Sequence, residues 1–153
     1  MKADSSGILN GPINLIVKRH LHSIAAHIPN GVIPAAVLFL FLALLLDHEG
    51  LSKAAFYDII FVAAALPAVL LFGIVSWKKR YGGHITSRFK IKAIGGSVVF
   101  ISALVVVIWR AVDPNVTDGS AAVAWIYFLF HVVMLGAAVI TGHQGGKLVF
   151  GNK

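Results

Sequence analysis

Cysteine does not occur in this chain. Its absence excludes cysteine-ligated iron–sulfur clusters, thiolate zinc sites and covalent c-type haem attachment. Any metal or cofactor would have to rely on histidine, methionine, carboxylates or backbone. Charge is the second shortage. Only 12% of the 153 residues are charged and six are acidic, against a hydrophobic share of 58%. A soluble domain carries about 25% charged residues, so the deficit marks a membrane protein before any motif is read. Catalytic signatures are scarce as well: there is no phosphate-binding loop, hydrolase elbow or His-x-x-x-His pair. The net charge of +7 would suggest nucleic acid in a soluble chain. Here its distribution fits membrane orientation, and no nucleic-acid partner is expected.

Long apolar runs fill what remains. A stretch of about 20 apolar residues crosses a hydrocarbon core of ~30 Å at ~1.5 Å per residue. Four such spans are read, at about 30–46, 56–77, 93–109 and 121–141. Ahead of them, residues 12–28 carry Ile13, Ile16, Val17, Leu21, Ile24 and Ile28 at three- and four-residue steps. That period describes an amphipathic helix lying along the interface, with Asn10 as its cap and Pro12 in its first turn. Pro29 and Pro34 are expected to turn or kink the chain into the membrane. Trp77, Trp109, Trp125, Tyr57 and Tyr127 sit near span ends, where amphipathic rings settle. The expected architecture is an all-α, integral membrane, antiparallel four-helix bundle with an N-terminal amphipathic interfacial helix, in one domain.

Orientation follows from charge. Eleven basic residues fall on one side of the spans, and only Lys53 and Arg110 fall on the other. Positive residues are retained inside, so both termini are expected in the cytoplasm, with the chain multi-pass in a bacterial inner membrane. Five of the six acids fall on the poor side, and no acid is expected at a span centre.

His131 stands at the middle of the last run. An imidazole at that depth is costly to leave in lipid, so it should face the interior and hold something. Its helical face includes Tyr127, Met134, Leu135, Ala138 and Gly142. The plain alternative is a histidine hydrogen-bonded to a neighbouring helix. His27 enters the membrane at the start of the first span; His20 and His143 lie towards the same basic side. Two histidines from facing helices are the usual axial pair of a b-type haem, which needs no cysteine. His27 and His131 are the first candidates as iron ligands, with His143 and His20 in reserve. Their depths differ by what approaches ~10 Å at 1.5 Å per residue. A quinone carbonyl accepting from His131 is a second candidate ligand.

The chain runs His27-Ile28-Pro29-Asn30-Gly31 towards Pro34. Beyond His131 it reads Gly142-His143-Gln144-Gly145-Gly146-Lys147-Leu148-Val149-Phe150-Gly151. In these stretches it resembles an uncharacterised family of small bacterial four-span membrane proteins, known only as a domain of unknown function. Some members are joined to Rieske-type or cytochrome c domains, so the resemblance implies an electron-transfer setting. Many also carry a histidine near the start of the third span, where this chain reads Lys90-Ile91-Lys92-Ala93-Ile94-Gly95-Gly96.

The leading expectation is a membrane electron-transfer subunit binding b-type haem and linked to a quinone pool, with protein partners in a membrane redox complex. A cofactor-free structural or anchoring subunit of a larger membrane assembly is the alternative. A small transporter is disfavoured for want of buried acids. In none of these readings is the chain an enzyme by itself.

Overall fold

The computed structural model describes the backbone of residues 12–150 and the side chains of residues 27–79 and 82–147. Four helices account for nearly all of it: α1 (Pro12–Leu46), α2 (Glu49–Tyr81), α3 (Ser87–Val112) and α4 (Ala121–Phe150). Each is long and apolar enough to span a membrane, over His27–Leu46, Glu49–Lys79, Ser87–Val112 and Ala121–Lys147. Hydrocarbon offers no partner for a bare N–H or C=O, so helices, which pair their backbone internally, are the elements these runs can form.

The helices outrun the expected spans. The stretch 12–28, expected as a separate interfacial helix before a turn, is instead the first half of α1, which continues through Pro29 and Pro34. Each proline withdraws one N–H, from the carbonyls four residues back, and in a membrane helix such losses are tolerated. The side chains of 12–26, His20 among them, lie outside the described residues, as does Asn10. Helix α2 begins at Glu49, seven residues before the expected start of its span. Asp58, already within the expected span at its poor-side end, therefore lies nine residues into a spanning helix.

Local chemistry sets the turns. Asp47 ends α1 with φ 49, the left-handed conformation that a short polar side chain tolerates. His48 then caps α2: its Nδ1 accepts from the N–H of Leu51 at 3.3 Å. At the far end of α2, Gly82 is the C-cap at φ 59, which a Cβ would strain. The short α2–α3 loop is pinned by Trp77, whose Nε1 donates to the His84 carbonyl at 2.9 Å and whose ring stacks on Phe89 at 5.0 Å. Thr86 and Ser120 cap α3 and α4 by accepting from Phe89 and Val123 at 3.3 Å each.

The bundle is a ring in chain order, with α1 against α2 and α4, and α3 against α2 and α4. Every helix buries one stripe at three- and four-residue steps: Ile33, Ala36 and Leu40; Ala55, Ile59, Val62 and Leu66; Val99, Ala103 and Val106; Tyr127, His131, Met134 and Ala138. The opposite faces stay apolar and exposed, as at Leu45, Phe61, Leu71, Ile101 and Ile126. In lipid that exposure carries no penalty, and association rests on close packing instead. Gly95 supplies one such approach, against the Thr141 methyl group of α4.

Candidate functional site

His131 is completely buried in the core stripe of α4, ten residues and so ~15 Å from the helix N-terminus. Its Nδ1 lies 3.1 Å from the carbonyl of Tyr127, one turn back on the same helix. A carbonyl only accepts, so Nδ1 carries the proton. In the neutral ring Nε2 then bears a lone pair, and it is buried with no partner among the described residues. That arrangement suits a ligand to a metal, since the second ring nitrogen is oriented by a backbone carbonyl. It does not suit the expected donation to a quinone carbonyl, because the one ring proton is already engaged. The Tyr127 ring lies 5.0 Å from the imidazole and meets Trp109 edge-on at 5.9 Å. Its hydroxyl is a second buried group without a partner among the described residues, and Asp58 Oδ2 is a third.

Depth can be compared through the register. Asn30 of α1 faces Gly142, where an added Cβ would stand 3.7 Å from the Asn30 amide nitrogen. Farther along, Phe41 lies 5.8 Å from Phe128. His131 is therefore level with residues 38–41 of α1, and His27 lies at least eleven residues lower, on the order of 16 Å at 1.5 Å per residue. His27 is also exposed, whereas His131 is enclosed. One iron cannot be held by this pair as the helices lie. His143 follows Gly142 and so stands near the level of His27, exposed. By way of α3, Asp58 stands at about the level of Tyr127. Arg110 lies 5.8 Å over the Phe56 ring and Trp109 packs on Tyr127, which aligns residues 56–58 with 126–128. The three unpartnered groups thus occupy about one turn of depth. Among the described residues no cluster of three or more His, Cys, Asp or Glu side chains is placed to hold a metal.

A second polar centre went unread in the sequence. Arg110, counted there only as a charge on the poor side, is 7% exposed and closes the end of the bundle opposite the basic one. Its Nη1 donates to Ser52 Oγ at 2.7 Å and to Thr117 Oγ1 at 2.8 Å, and Thr117 donates to Asp118 at 2.9 Å. This knot ties α2, α3 and the α3–α4 loop together. Beside it is a small polar cavity of about 40 Å³, lined in part by Asp47, His48, Ser52 and Asp118. The available signal was an arginine directly after a span-end tryptophan, followed seven residues on by threonine.

The fold and this interior define a class: a multi-span helical membrane protein whose apolar core encloses a few polar groups, with hardly any extramembrane chain between its helices. Residues 18–153 match the model of a family described as "Predicted membrane protein (DUF2231)", and the chain belongs to that family. It is similar to an uncharacterized protein of Archaeoglobus fulgidus, with 33% identity over 91 residues, covering 60% of this chain and 71% of the relative. No solved structure matches the chain.

Proposed function

We propose that this chain is a membrane-embedded accessory subunit, a four-span bundle that anchors or joins partner chains within a larger membrane assembly. One observation carries the reading. The segments between the described helices are only 47–48, 82–86 and 113–120, so anything these spans and loops recognise must be met in the membrane or at its edge. The outward faces offer apolar side chains suited to other helices and to lipid. The charge asymmetry favours a cytoplasmic location for the basic end, in an inner membrane of the bacterial type.

The test is photo-crosslinking in native membranes from single outward positions, for example Leu45, Phe61, Leu71, Ile101 and Ile126. The expected outcome is a discrete protein adduct from positions on one side of the ring. Adducts to lipid alone at every position would overturn the proposal.

A second reading, a b-type haem subunit passing electrons to or from a quinone pool, is favoured by the buried lone pair on His131 Nε2. In it His131 would hold the haem iron, the haem would supply one-electron chemistry, and His27, exposed and far lower on α1, would not be its partner ligand. A Soret band that shifts on dithionite reduction and is lost in His131→Ala would support this reading. Its absence after expression with added haem precursor would end it.

A further inference from the structure

A groove of about 490 Å³ runs between the outward faces of α3 and α4. Ile91, Ile94 and Val98 form one wall, and Val133, Ala137 and Ile140 the other. Gly136 leaves it open, since an added Cβ there would meet nothing within 4 Å, while Gly95 on its floor lies against Thr141. Its walls are apolar, exposed at Ile91, Ile94, Val133 and Ile140, and belong to two spanning helices, so the groove opens into the hydrocarbon.

Charge says what lies in it. On α3 the groove face continues back from Gly95 and Ile91 to Arg88, seven and three residues earlier. On α4 it continues from Ile140 to Gln144 and Lys147, four and seven residues later. Gly95 stands against Thr141, so in antiparallel helices Arg88 and Lys147 arrive at the same level. The apolar slot therefore ends at two cations at the basic end of the bundle. A transmembrane helix from a partner would call for apolar surface along its whole length, or for acidic residues at that end. A phospholipid needs this sequence of surfaces: a trough for an acyl chain, then cations at headgroup depth.

We infer that the α3–α4 groove is a binding site for one anionic phospholipid, its acyl chain against Gly95 and Gly136 and its phosphate beside Arg88 and Lys147. The inference does not depend on the anchoring role, since a lipid site can serve a bundle with or without protein partners.

The test is native mass spectrometry of the purified full chain in mild detergent, titrated with phosphatidylglycerol or phosphatidylcholine of identical chains. The wild type should retain one phosphatidylglycerol in preference to phosphatidylcholine. Gly136→Leu, whose Cβ would meet nothing within 4 Å, puts a side chain into the trough and should weaken retention of both lipids. Lys147→Gln and Arg88→Gln should each lower phosphatidylglycerol retention by about fivefold and leave phosphatidylcholine unchanged. Circular dichroism and melting check that each variant is folded; if Gly136→Leu is not, the charge variants still decide. Equal retention of the two lipids by the wild type, or indifference of the preference to both charge variants, overturns the inference. So does a dimer whose formation Gly136→Leu abolishes, because the occupant would then be a second copy of the chain.

Discussion

Gly95 provides the sharpest test of the packing. An alanine Cβ at this position runs into the methyl group of Thr141. Thr141 is not free to turn away, because its hydroxyl donates to the carbonyls of Ala137 and Ala138 at 3.0 and 2.9 Å. Rotating it forfeits those bonds, a loss of ~1 kcal/mol, while keeping it in place forces overpacking of ~1–3 kcal/mol. The protein takes the smaller of these, so the contact costs about 1 kcal/mol. Against this, alanine recovers up to ~1 kcal/mol of helix propensity over glycine. The single substitution Gly95→Ala should therefore destabilise by no more than about 1 kcal/mol. Thr141→Ser removes the offending methyl and keeps the hydroxyl. In that background Gly95→Ala should be neutral or stabilising, which gives a coupling of ~1 kcal/mol between the two sites. The assay is reversible unfolding in mixed micelles by SDS titration, followed by tryptophan fluorescence. Equal effects of Gly95→Ala in the two backgrounds would show that α3 and α4 do not meet here as described.

Three further outcomes are expected. Tyr127→Phe removes a hydroxyl that is buried without a partner among the described residues; the change should be neutral or stabilise by ~1 kcal/mol, and a clear loss in the same SDS titration would mean that the hydroxyl is bonded. Arg110→Met should destabilise by ~2 kcal/mol through loss of charge-assisted bonds to Ser52 and Thr117. The double variant with Ser52→Ala should lose less than the sum of the two single losses, and strict additivity would refute a shared network. Trp77→Phe keeps the stack on Phe89 but deletes the bond to the His84 carbonyl. It should speed hydrogen exchange in 82–86 without altering the core, and unchanged exchange there would show that the bond does not hold the loop.

The sequence made four spanning helices legible because length, hydropathy and charge asymmetry are local properties that lipid reads directly. It misjudged their ends. Pro29 looked like a turn, but a helix in hydrocarbon loses more by opening its backbone than by forgoing one N–H, so α1 runs on. Asp58 reads as lying near the end of its span for a related reason: the span is drawn from the first unbroken apolar residue, although polar residues can occupy a helix's first turns.

His131 could be recognised as an interior group from depth alone, and its complete burial agrees with that reading. What it meets could not be read from the chain, because register between helices is set by side-chain interlocking among residues far apart in sequence. Asn30 opposite Gly142, and Phe41 opposite Phe128, separate His27 from His131. The same interlocking brought Ser52 and Thr117 to Arg110. Composition thus determined the solvent, the number of crossings and the residue that must face inward. Only the packed bundle decided which polar groups share a level, because neighbours across helices depend on how four apolar stripes mesh and not on their spacing along the chain.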